Sequence, residues 1–142
     1  TGGTATAGLT VLQEGQDVTV NTGNLVIASA TKGITYTNKG TVTQSTNHSS
    51  GVTINATAGI IQLAAVALSA AVNAEFTVTN STVTTTSIIM LTVQDENTTN
   101  NAQLTAATHT IDNGSFVISV HNPAATGATS ATASKIHFLV IN

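Results

Sequence analysis

From residue 49 onward, apolar and polar side chains alternate with a period of two in several short runs. Val52 and Ile54 flank Thr53; Phe76 and Val78 alternate with Glu75, Thr77 and Thr79; Phe116, Ile118 and Val120 alternate with Ser115, Ser119 and His121. Successive side chains of a strand point to opposite faces, so each run predicts a strand with one buried and one wet face. Short strands of this kind, recurring between turn signals, are the mark of a sandwich. An Asn113-Gly114 pair separates two such runs. It supplies the positive φ angles of a tight turn, which predicts a hairpin over residues 103–122.

Two runs break the alternation. Residues 88–93 (Ile-Ile-Met-Leu-Thr-Val) and 136–141 (Ile-His-Phe-Leu-Val-Ile) place apolar side chains on both faces, the pattern of strands buried on both sides. In a two-layer sandwich only one face of each sheet meets the core. The second apolar face therefore needs another cover, and a neighbouring subunit or the N-terminal segment is the economical one. Residues 64–73, dominated by Ala and Leu, suit a helical turn or two as well as they suit a connection across one end of the sandwich.

Residues 1–46 differ in texture. They hold glycines at positions 2, 3, 8, 15, 23, 33 and 40, two of the three lysines, and short apolar pieces at 9–12, 18–20 and 25–28. Strands this short, broken by Gly-rich turns, cannot close a core of their own. The expected organisation is an extended, strand-forming N-terminal arm over residues 1–46, which gains order by pairing, followed by an all-β domain over residues 47–142. That domain is expected to be an antiparallel β-sandwich of jelly-roll or immunoglobulin-like (Ig-like) type. The candidate interface combines Leu25, Val26, Ile27 and Ile34 of the arm with Ile89, Leu91, His137, Leu139 and Ile141 of the doubly apolar strands.

Composition sharpens this picture. Of 142 residues, 29 are threonine, whose branched Cβ favours pleated, half-buried surfaces. Charged residues make up 6%, against roughly 25% in an average soluble domain. There is no arginine, the net charge is -3 and aromatics are 3%. Nucleic-acid binding, which needs clustered cations and stacking rings, is not expected. No apolar run reaches the roughly 18 residues of a membrane span, and the start Thr1-Gly2-Gly3-Thr4 lacks the basic and apolar regions of a signal peptide. Without cysteine there are no disulfides or thiolate ligands, so packing, backbone ladders and subunit contacts must hold the fold.

Chemistry-bearing residues are sparse. The four histidines, at 48, 109, 121 and 137, and the six carboxylates show no spacing that would gather metal ligands. Asp95-Glu96-Asn97 with Asn100 and Asn101 is the densest oxygen cluster; it lacks the spacing of a calcium loop and reads as a solvated turn. No Gly-x-Ser-x-Gly elbow and no phosphate-binding glycine loop occurs. We expect no catalytic residues, no cofactor and no metal. Asn-x-Ser/Thr triplets begin at Asn47, Asn55, Asn80, Asn97 and Asn113, as chance produces in a chain so rich in Thr and Asn. His137 could act as a pH switch at an interface, but a hydrogen-bonded structural role is favoured.

Two stretches resemble structural proteins of tailed phages, especially marine and cyanobacterial ones. Leu9-Thr10-Val11, then Asp17-Val-Thr-Val-Asn-Thr-Gly-Asn-Leu-Val-Ile-Ala28 and Lys32-Gly33-Ile34, is similar to a segment of phage fibre and spike proteins that forms strands between chains. Thr43-Gln-Ser-Thr-Asn-His-Ser-Ser-Gly-Val-Thr-Ile-Asn55, Gly59-Ile-Ile-Gln-Leu-Ala-Ala65, Glu75-Phe-Thr-Val-Thr-Asn-Ser-Thr-Val83 and residues 135–142 resemble a β-rich domain of phage virion proteins. Together they cover most of the chain. The resemblance implies a non-catalytic virion protein, a homotrimer. Fibres and spikes usually need a much longer chain, and Thr1 is what removal of an initiator methionine leaves, so a short complete chain on the capsid surface is expected: a decoration (cement) protein bound to the major capsid protein. The alternative is a tail-fibre, knob or adhesin module that meets host glycans through loops at 97–101 and 122–134, against which the scarcity of aromatics counts.

Overall fold

The computed structural model describes residues 29, 31, 33–95, 103–128 and 133–142. The chain divides into two compact units, residues 1–35 and 36–142. Among its described residues the second contains eight strands: β1 (Lys39–Thr43), β2 (Val52–Thr53), β3 (Ala58–Gln62), β4 (Asn73–Thr79), β5 (Ile88–Gln94), β6 (Thr105–Asp112), β7 (Ser115–His121) and β8 (Lys135–Ile141). No helix occurs among the described residues, and the Ala-rich stretch at 64–73 is a connection up to residue 72, with Asn73 opening β4. Its one unusual backbone position is Ala71, at φ 52°, where the amide donates to the Ala124 carbonyl.

The strands form two four-stranded sheets, ordered β1-β3-β8-β5 and β2-β4-β7-β6. The all-β expectation holds, but the expectation of purely antiparallel sheets is corrected: β1 runs parallel to β3, and β2 parallel to β4. The chain explains this. Its first four strands alternate between the sheets, so strands next but one in sequence become neighbours and, after two reversals, point the same way. Residues 39–43, which the sequence assigns to the arm, are the parallel edge strand β1. Most of the remaining arm lies outside the described residues.

The two sheets share one core. β4 and β7 alternate as their sequences require: Ala74, Phe76 and Val78 pair in register with Val120, Ile118 and Phe116, all buried. Ile61 of β3 and Ile136, Phe138 and Val140 of β8 face them from the other sheet in the same buried cluster. The Phe116 and Phe138 rings meet across the sheets with centroids 5.9 Å apart, tilted by 56°, a geometry suited to the ring quadrupoles. In β6 the inward positions change phase, from Ala106 and Thr108 to Ile111, where a register shift falls between Thr108 and Thr110. One extra residue, His109, is the bulge that causes the change.

The β6–β7 hairpin closes at Asn113-Gly114, as its sequence predicts, with Asp112 opposite Ser115. Gly114 alone of the pair has positive φ, 84°, which is the type II pattern and not type I′. The turn is tied down from outside, because the Gly114 amide donates to the Val83 carbonyl and its own carbonyl accepts from the Asn80 amide. Asn80 and Asn122 sit at opposite ends of the β4–β7 pair, fully buried, and do the same work. Each Oδ1 accepts the amide two residues on, from Thr82 at 3.0 Å and Ala124 at 3.1 Å. Each Nδ2 donates to a distant loop carbonyl, Ala56 at 2.8 Å and Leu68 at 2.9 Å. Buried amides are tolerated because both ends are satisfied, and the Asn80 triplet is thereby inaccessible to glycosylation in the folded chain.

Candidate functional site

The two outer faces of this unit differ in chemistry. Outward positions of the β2-β4-β7-β6 sheet are mostly polar: Asn73, Glu75, Thr77 and Thr79 on β4, with Ser115, Ser119 and His121 on β7. Exposed Glu75 meets exposed His109 at 3.3 Å, a contact that solvent screens. The outer face of the β1-β3-β8-β5 sheet is largely apolar instead. Its register sets Ile60, His137 and Thr92 in one row, Ala58, Leu139 and Met90 in the next, and Ile141 beside Ile88 in the last. Ile88 is 61% exposed, Met90 56% and Ile141 42%, large values for side chains whose transfer out of water is favourable. Gln62, Lys135 and Gln94 form its polar border. A groove of about 450 Å³ crosses β1, β3 and β8 at one side of this face, between Lys39, Thr41, Ile60 and His137.

The predicted interface residues fall in three places. His137 and Leu139 are half-buried and Ile141 is exposed, all outward on β8. Ile34 is exposed in the first unit, and Leu25, Val26 and Ile27 lie outside the described residues. Ile89 and Leu91 point inward, packed on the core, and the outward positions of β5 are Ile88 and Met90. A run apolar at both parities carries no phase of its own; pairing with β8, whose Ile136, Phe138 and Val140 face the core, sets it.

The chain matches no protein-family model, no curated protein and no solved structure. The site must therefore be judged on its residues.

Polar chemistry is dispersed. His121 Nδ1 lies 3.3 Å from the Val72 carbonyl and His137 Nε2 3.2 Å from Gln94 Oε1. Asp95, read as part of a solvated turn, accepts from the Leu104 amide at 2.8 Å and Ser134 Oγ at 2.7 Å, so it ties three segments together. Glu96, Asn97, Asn100 and Asn101 lie outside the described residues. Among the described residues no three His, Cys, Asp or Glu side chains gather as metal ligands, and no helix is long and apolar enough to cross a membrane.

His48 is a structural titration site. It is buried in the loop that Gln44 organises by donating to the His48 and Ser50 carbonyls and accepting from the Ala64 amide. Burial holds its pKa below the ordinary value of 6.5, because desolvation disfavours the imidazolium. The unfolded chain then takes up the proton first as pH falls, so this stability is complete above about pH 6.5 and is lost as pH drops through the lower folded-state pKa. Thermal melts between about pH 7.5 and pH 5 should show a falling midpoint that His48→Gln flattens. An unchanged slope in the variant would place the acid sensitivity elsewhere.

Proposed function

We propose that this chain is a non-enzymatic structural component of a phage virion, a capsid decoration protein that binds the outer shell, contacts the major capsid protein and associates with copies of itself, as a homotrimer. The two sheets are read as a β-sandwich of the jelly-roll or Ig-like class, with a parallel strand at one edge of each, and the N-terminal residues as an arm that pairs with neighbouring chains. The observation that carries this reading is the uncovered apolar face around Ile88, Met90, Leu139 and Ile141 on a chain with so few charges. Such a face is a recognition surface based on area burial, and with little charge its contacts gain little from ion pairing and lose little to salt. The resemblance of the sequence to phage virion proteins supplies the particle.

The test is the copy number of the chain relative to the major capsid protein in purified particles, by quantitative mass spectrometry. A ratio near one per capsid subunit, or a simple fraction such as about one third, is the expected result for symmetric decoration. A few copies per hundred would move the chain to the tail or a fibre, and absence from particles would end the proposal.

A further inference from the structure

We infer that strand β5 is a self-pairing edge, through which two copies of the chain join in antiparallel register about Leu91. The inference begins with the backbone. The Val140 amide donates to the Thr57 carbonyl, so Val140 spends its hydrogen-bonding groups on the β3 side of β8. In an antiparallel ladder those groups alternate direction residue by residue, and paired residues either both face each other or both face away. Ile89, the partner of Val140, therefore turns its N–H and C=O away from β8, and so do Leu91 and Val93. β5 is the last strand of its sheet among the described residues, so these groups stand along an edge that no described strand covers.

Free edges are normally blunted by shortness, bulges, charge or proline. β2 has two residues, β6 carries a bulge beside His109, and β1 starts with Lys39. β5 has none of these devices: its seven residues, Ile-Ile-Met-Leu-Thr-Val-Gln, include no charge, proline or glycine. What fits a free edge is another extended strand, and β5 fits itself. With Leu91 opposite Leu91 of the second copy, Ile89 falls opposite Val93 and Val93 opposite Ile89. Those three pairs use every outward-facing group of Ile89, Leu91 and Val93, two N–H···O=C bonds to each pair. Met90 then lies opposite Thr92 in non-hydrogen-bonded pairs, where Cα atoms approach to about 4.5 Å and side chains interact most directly. The apolar outer faces of the two copies become one surface. A two-fold contact of this kind closes on itself; it is a contact of the free chain in solution, distinct from the three-fold packing proposed on the particle, and it depends on β5 alone, so it stands or falls separately from the particle role.

The register makes the inference testable at exposed positions that the fold does not need. The whole chain should sediment as a concentration-dependent dimer in analytical ultracentrifugation. Met90→Lys with Thr92→Lys sets like charges opposite each other twice across the two-fold, whereas Met90→Lys with Thr92→Glu sets opposite charges there. The Lys/Lys chain should dimerise at least about tenfold more weakly than the Lys/Glu chain, while circular dichroism melts show both folded. A wild-type chain that stays monomeric, a trimer as the sole assembly, or two variants that dimerise equally would overturn the inference.

Discussion

Replacing Gly59 by alanine should destabilise the β-sheet unit by about 3 kcal/mol and lower its melting temperature by roughly 10 °C or more. A Cβ at this position would lie 2.7 Å from the Gly40 carbonyl oxygen, 2.8 Å from Phe138 Cε1 and 2.9 Å from Ile54 Cδ1. The first of these cannot give way cheaply, since Gly40 and Gly59 are partners in the β1–β3 ladder and moving one carbonyl moves the strand. Gly40→Ala is the internal control. The nearest atoms its Cβ would meet are side-chain ones, Ile54 Cδ1 and Cγ1 at 2.9 Å, so Ile54 must shift but the strand need not, and the loss of unfolded-chain freedom returns about 0.5–1 kcal/mol. Urea unfolding of both variants should therefore separate them widely, and equal midpoints would show that the close approach of the two glycines is not what sets the packing of this edge.

Truncating Phe116 to alanine should remove about 3–5 kcal/mol. The ring is 1% exposed, lies on the central strand pair of its sheet and is the contact through which that sheet reaches Phe138. The lost transfer energy and the cavity add, because a close-packed core relaxes only partly around the space the ring leaves. Phe138→Ala should cost a similar amount, and the double variant less than the sum by about 0.5–1.5 kcal/mol, the part that belongs to the ring pair itself. Strict additivity in chemical denaturation would show the tilted contact to be incidental to two separate burials.

Much of the fold is legible in the sequence, and the parts that are not share a cause. Alternation located β4, β7 and the hairpin, because one-sided burial writes itself into the period of the sequence. Pairing direction leaves no such mark. The parallel β1–β3 and β2–β4 pairs follow from the path of the chain between sheets, and Gly40, which looks like linker composition, instead leaves the space that Ile54 fills, while Gly59 admits the Gly40 carbonyl. The near-apolar stretch from residue 59 onward hides strand β3 for a related reason: Gln62 is its one polar position in β3, and a single residue does not mark a period. The same ambiguity led sequence reasoning to Ile89 and Leu91 as interface side chains, where the exposed pair is Ile88 and Met90. Asn80 and Asn122 look like ordinary turn residues, and only the carbonyls they reach across the fold reveal them as fastenings.

The place of β8 has a consequence for how the molecule is made. It lies between β3 and β5 in its sheet, yet it follows every other described strand in the chain. On the ribosome, β2, β4, β6 and β7 are available to assemble before β8 exists, whereas β5 emerges with no partner and must wait with its apolar side chains exposed. Completion of the β1-β3-β8-β5 sheet is thus a late, long-range step, of the kind that folds slowly and risks capture by other chains. The interval between synthesis of β5 and arrival of β8 is the period in which its apolar side chains are most open to capture.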